Sequence, residues 1–330
     1  MFESFWFLIL IFFLSVAFDF VNGWTDACNS IATVVSTRVL SPQTAVLMAA
    51  LFNLVGAFSG TAVAVTIGKG LIAQDSINLM TVATALISVI IWSSLATVFG
   101  LPTSESHGLM SGLAGAGVAT AGTKVLIWAG WRKVFLGLVF APIIGFAIGL
   151  LAMALLLWIF RQTRPGAVTE IFKKFQIVSA AFMAFSHGSN DAQKTMGIMS
   201  LALAIHFHWS TFHVPAWVIL LSALTMAIGT AFGGWRVIRT MGMKITKLQP
   251  IHGFAAETSA AIVIQAASRI GLPLSTTHVI ASGIMGVGAT RRFSAVRWGV
   301  AGNIGLAWIL TFPICGGIGW LLTIIINQFI

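Results

Sequence analysis

Asn22, Asp26 and Asn29 lie four and three residues apart within an otherwise apolar run, Phe18–Ser30 (FDFVNGWTDACNS). On a helix that spacing gathers an acid and two amides on one face. His187, Asp191 and Lys194 repeat the spacing inside Phe185–Met196 (FSHGSNDAQKTM), where Asn190 also reaches Lys194 at four. A carboxylate beside amides and freed backbone carbonyls makes an oxygen cage suited to a small hard cation. Asp26 and Asp191 are 165 residues apart in a chain of 330, and superposing them puts Gly23 on Gly188. Such glycines either loosen a helix or let another backbone come close. One motif of this kind is as readily a polar bridge between helices. Two, each with an acid, point to a site. Asn22, Asp26, Asn29, Asn190 and Asp191 are the expected coupling-ion residues.

A second pair offers the opposite sign. Leu101–His107 (LPTSESH) matches Leu272–His278 (LPLSTTH), each followed by a helix of small residues (SGLAGAG; SGIMGVG). Proline suits the first turn of a helix, where its missing N–H costs nothing. The free N–H groups, the hydroxyls and the positive end of the helix dipole together favour an anion. Thr103, Ser104, Ser106, Ser275, Thr276 and Thr277 are the expected anion ligands, with Asn190 and Asp191 alongside. His107 and His278 could donate to the anion, carry protons or cap the helix. Lys194 could neutralise Asp191 or touch substrate. Glu105 stands opposite Thr276, and Glu257 has no acidic counterpart in the first half; each is a proton site or a structural pair for a basic group. Asp19 and Asp75 read as residues near span ends, where exposure is cheap.

The elements that must position these residues are membrane helices. The chain is 58% hydrophobic and only 8% charged, against about 25% charged in a soluble domain. Spans of about 20 residues are expected near 5–35, 44–67, 80–99, 133–160, 175–203, 215–235, 250–270 and 298–328. Segments 101–123 and 272–290 carry helix breakers and read as broken or re-entrant spans. The expected fold is an all-α polytopic membrane protein with about ten to twelve membrane segments in two inverted-topology repeats. Residues 1–160 form the first repeat, 161–174 a central cytoplasmic loop and 175–330 the second repeat. Matching polar breaks in two apolar halves are a pointer to a transporter site.

The net charge of +10 does not call for nucleic acid. Arg161, Arg164, Lys173 and Lys174 flank the mid-chain break, Arg236, Arg239, Lys244 and Lys247 follow one span, and Arg291, Arg292 and Arg297 precede the last, as positive-inside anchors do. With the central loop inside, five passes per half leave both termini outside. Arg38 then lies inside, whereas Lys69, Arg132 and Lys133 lie outside, against the rule. Glu3 occupies the place of a basic leader region, so the first span is expected to be retained. Cys28 and Cys315 give neither a disulfide framework nor metal-type spacing. The His206–His213 stretch (HFHWSTFH) has no accompanying carboxylate or cysteine, and reads as an adventitious metal binder at most.

With these residues in view, nearly the whole chain resembles the inorganic phosphate transporter (PiT) family. That family carries a duplicated glycine–asparagine–aspartate motif. Gly188-Ser189-Asn190-Asp191-Ala192-Gln193-Lys194 matches it closely; in the first copy Thr25 stands where the second has Asn190. The PTSESH and PLSTTH segments resemble the family's two hairpin tips. The resemblance implies symport of inorganic phosphate across the plasma membrane, driven by sodium or protons, with no cofactor beyond that cation. It implies that phosphate is carried between two hairpins and two aspartate helices, and often a homodimer in the bilayer. Asp26, Asn29 and Asp191 would hold the ion if it is sodium. Some members carry sulfate, so a sulfate or neutral metal–phosphate permease is the alternative. Phosphate at neutral pH keeps an O–H that a carboxylate can accept, whereas sulfate has none, and two aspartates therefore lean toward phosphate. An anion channel needs no buried acid. An enzyme would need a nucleophile–base pair that binding does not explain equally well.

Overall fold

The computed structural model describes residues 4–329; Glu3 lies outside them. Twelve α-helices carry the fold, and no strand occurs among the described residues beyond one isolated bridge between Ile72 and Leu126. The first half contains α1 (Phe5–Ser36), α2 (Pro42–Ala57), α3 (Ala62–Gly70), α4 (Leu79–Phe99), α5 (Glu105–Ala121) and α6 (Trp128–Ile159). The second contains α7 (Pro165–His206), α8 (Ala216–Phe232), α9 (Trp235–Arg239, continued by a π-turn to Lys244), α10 (Pro250–Arg269), α11 (Thr276–Ala289) and α12 (Trp298–Gln328).

Helix starts follow local chemistry. Ser41, Asn78, Ser104 and Ser275 cap α2, α4, α5 and α11 by accepting from a backbone N–H three residues on, and Pro42, Pro165 and Pro250 fill first-turn positions. α6 and α12 each run through an internal proline, Pro142 and Pro313. These two are 171 residues apart, the same interval as Pro102 and Pro273. The duplication thus extends well beyond the polar motifs.

Three boundaries differ from the sequence expectation. Span 44–67 is not continuous, since α2 and α3 meet at 69°, and span 215–235 ends early, since α8 stops at Phe232 and its successor leaves at 63°. Gly233 at φ +63° makes the second break. Residues 165–174 are not loop but the first turns of α7, started by Pro165 and braced by the Glu170–Lys173 ion pair at 2.6 Å. Forty-two residues make α7 about 63 Å long at 1.5 Å per residue, so it outreaches the roughly 30 Å hydrocarbon core of a bilayer. Asp19 does not lie near an exposed span end. It sits mid-helix in α1, fully buried, and accepts from Thr195 of α7 at 2.8 Å.

α1, α4, α6 and α12 are each long and apolar enough to cross a membrane, and the two bent pairs raise that to six. On α6, Phe135, Leu136, Val139, Phe140 and Ile143 are exposed; on α12, so are Leu306, Ile309 and Leu321. Hydrocarbon solvates such a surface, and water would not.

Packing pairs the halves crosswise. α1 lies on α8 and α4, and α7 lies on α2 and α10; α5 lies on α12 and α4, and α11 on α6 and α10. Adding six to each label turns one set of contacts into the other. Gly23 and Gly188 serve close approach rather than helix breaking, because α1 and α7 pass through them unbroken. A Cβ at Gly23 would overlap the Met226 carbonyl of α8, and one at Gly188 would overlap the Asn53 backbone of α2.

Candidate functional site

α1 and α7 bring Asp26 and Asp191 together, and the N-terminus of α11 closes on both. Asn29 Nδ2 donates to Thr276 Oγ1 (3.2 Å) and Thr277 Oγ1 (2.9 Å). Thr277 Oγ1 in turn donates to Asp26 Oδ1 (3.1 Å), and Thr276 Oγ1 to Asp191 Oδ2 (3.3 Å). The tip hydroxyls therefore span the two aspartate helices. All these residues are buried.

His187 stands between the acids. Asn53 Nδ2 donates to Thr230 Oγ1 (2.9 Å), which turns the Asn53 carbonyl toward His187 Nδ1 at 3.2 Å. Nδ1 is then the donor, and Nε2 faces Asp191 Oδ2 at 3.6 Å and Asp26 Oδ2 at 3.9 Å. Among the described residues, Asp26, His187 and Asp191 are the one group of acid, histidine or cysteine side chains close enough to share an ion, with ligand atoms within 4.8 Å of one another. The His206–His213 stretch is not such a group; Trp209 and His213 stack there instead. Lys194 Nζ lies 2.7 Å from Asp191 Oδ1, with both side chains fully buried. Lys194 is thus placed to neutralise Asp191.

The two hairpin tips are built alike. Ser104 Oγ accepts from the His107 N–H and Ser275 Oγ from the His278 N–H, each at 3.2 Å. Serine therefore does the capping, and the histidine rings do not. The rings pack edge-to-face with centroids 4.8 Å apart, and His278 stacks on Trp308 at 3.9 Å. Ser106 Oγ donates to the Leu274 carbonyl (2.9 Å), tying one tip to the other. Thr103 is buried in the first tip.

Other expected residues lie apart from this centre. Asn190 Nδ2 donates to Ser268 of α10 (2.9 Å). Asn22 is buried but makes no hydrogen bond to the Asp26 group. Glu257 has no basic partner; it accepts from Thr33, Ser179 and Gln176 in a separate hydroxyl–amide nest. Glu105 likewise accepts from hydroxyls, Thr25 Oγ1 at 2.8 Å and Ser93. The sequence reading missed the roles of His187, Thr25, Ser93 and Asn53. His187 carried a signal, four residues before Asp191 on one helix face. Ser93 and Asn53 carried none, since only the fold brings them near.

A duplicated, buried acid pair facing hydroxylated helix tips has the chemistry to attract both a cation and an anion. The model of the phosphate transporter family matches residues 22–319. The chain belongs to that family. It is 48% identical to a probable low-affinity inorganic phosphate transporter of Rhizobium meliloti (strain 1021) over 311 residues, 93% of each chain. A protein of the same description from Bacillus subtilis (strain 168) is 39% identical, with 97% of each chain covered. A solved structure of a protein described as the sodium-dependent phosphate transporter superposes with a TM-score of 0.90 at 25% identity, covering 98% of this chain and 99% of that one. This family member is accordingly a multi-pass protein of the plasma membrane and a transporter rather than an enzyme, and its substrate is inorganic phosphate.

Proposed function

We propose that the chain is a symporter that moves phosphate together with a cation, sodium or a proton, by alternating access between two inverted repeats of five to six membrane segments each. The observation that carries this reading is the position of Thr276 and Thr277. They open α11 and donate to acids on two different helices. Hydroxyls and free helix N–H groups suit a phosphate anion, a carboxylate accepts the phosphate O–H, and the same carboxylate attracts a cation. Phosphate would then lie between the tips that carry Thr103, Ser104, Ser106, Ser275, Thr276 and Thr277, with the cation against Asp26 and Asn29. The crosswise packing and the 171-residue recurrence of the tips support a duplicated fold. An odd number of passes per half would invert the second copy. The sodium dependence of the protein whose solved structure is similar favours sodium.

The test is uptake of radiolabelled phosphate into proteoliposomes, with sodium and pH gradients imposed separately and sulfate added as competitor. Accumulation under one gradient, resistant to sulfate and abolished in Asp26→Asn, is the expected result. Downhill equilibration alone under both gradients would refute symport.

A further inference from the structure

Superposing the motifs on Asp26 and Asp191 places Lys194 where the first copy has Asn29. The two positions behave differently. Asn29 turns its amide to the hydroxyls of the α11 tip and leaves the Asp26 carboxylate to Thr277 and, at longer range, His187. Lys194 instead sets its ammonium 2.7 Å from Asp191, both side chains sealed from solvent. A buried carboxylate without a counter-charge is costly, and an ammonium supplies the charge that a monovalent ion would bring. Among the described residues no lysine or arginine lies against Asp26.

We infer that Lys194 is a built-in cation which takes the place of an exchangeable ion at Asp191, leaving Asp26 as the single exchangeable cation site of the aspartate pair. The inference rests on the cation-coupled reading above and makes it quantitative. A carrier with asparagine in both copies would offer two such sites; this one offers one. A second ion of Asp191's own does not fit, because Nζ already lies 2.7 Å from Oδ1 and Oδ2 is left only for an ion shared with Asp26 and His187. Lys194 also cannot leave with phosphate, so the charge it carries is not transported.

The experiment is equilibrium binding of radiolabelled sodium to the purified full chain in lipid nanodiscs with saturating inorganic phosphate. The wild type is expected to bind no more than one sodium per chain. Lys194→Asn, which copies Asn29, is expected to bind one more than the wild type, and Lys194→Arg no more than the wild type. A purely structural lysine would lower the yield of Lys194→Asn without adding an ion. An unchanged count in folded Lys194→Asn overturns the inference. So do two or more sodium ions bound by the wild type, a result that needs no variant to fold. Loss of gradient-driven phosphate uptake by the wild type would strike the symport reading alone and leave the binding count standing.

Discussion

At the scale of single residues, the amides of the two motifs have unlike duties. Asn29 braces the α11 tip through two hydrogen bonds, whereas Asn190 binds Ser268 on α10. Each bond contributes about 1 kcal/mol net. Asn29→Ala is therefore expected to raise the KM for phosphate at least tenfold. Asn190→Ala is expected to leave KM within about threefold while lowering the thermal midpoint by a few degrees. Uptake kinetics and a melting curve on the same preparations check both, and equal KM effects would contradict the assignment. Thr25→Val removes the Glu105 donor that the fold supplies from α1 and is expected to destabilise the protein by about 1–3 kcal/mol, the cost of a buried acid losing a partner. The acid-bearing motifs and hydroxylated tips could be read from residue type and repetition alone. The partners of Asn190, Thr25 and Glu257 could not, because each is chosen by a helix far away in sequence.

At the scale of elements, the two motif glycines are contact points. A side chain at Gly188 would meet the Asn53 backbone of α2, and Asn53 also orients His187. Gly188→Val is thus expected to lose both the α2–α7 contact and the His187 hydrogen bond, a destabilisation of about 3 kcal/mol or more. Thermal melting in detergent measures it. Gly166, which has open space around it, is the control, and Gly166→Val should melt within a few degrees of wild type. Helix positions were readable from apolar run length and from proline and serine punctuation. The breaks at 58–61 and 233–234 were not, since an apolar run of the right length gives no sign of a bend. The extension of α7 to Pro165 was hidden by its charges, which suggest a loop but form the solvated face of a helix.

At the scale of the whole molecule, the alternating access proposed above would have the hairpin tips separate, and Ser106 holds the Leu274 carbonyl at 2.9 Å. Cysteines at these two positions, in a Cys28→Ala, Cys315→Ala background and joined by a short thiol cross-linker, are expected to abolish phosphate uptake. The uncross-linked double-cysteine protein is the reference against which that loss is read. Full uptake after cross-linking, with the link verified by mass spectrometry, would mean that the tips move as one body. The duplication was readable from recurring intervals, but the crosswise exchange of partners between halves was not. Sequence records which segments are alike; only packing records which of them touch.

That exchange has a consequence for synthesis. α1 rests on α8 and α2 on α7, so the helix bearing Asp26 has α4 beside it but lacks α7 and α8 until the ribosome has made well over half of the chain. Until then a newly inserted first half must hold an acid and several amides in lipid with their eventual partners still untranslated, at a cost that bilayers rarely tolerate for long. Biogenesis of this carrier therefore needs either a waiting place beside the insertion machinery or rapid synthesis of α7 and α8. Synonymous changes that slow translation between residues 160 and 232 should lower its yield even though every residue of the finished protein is unchanged.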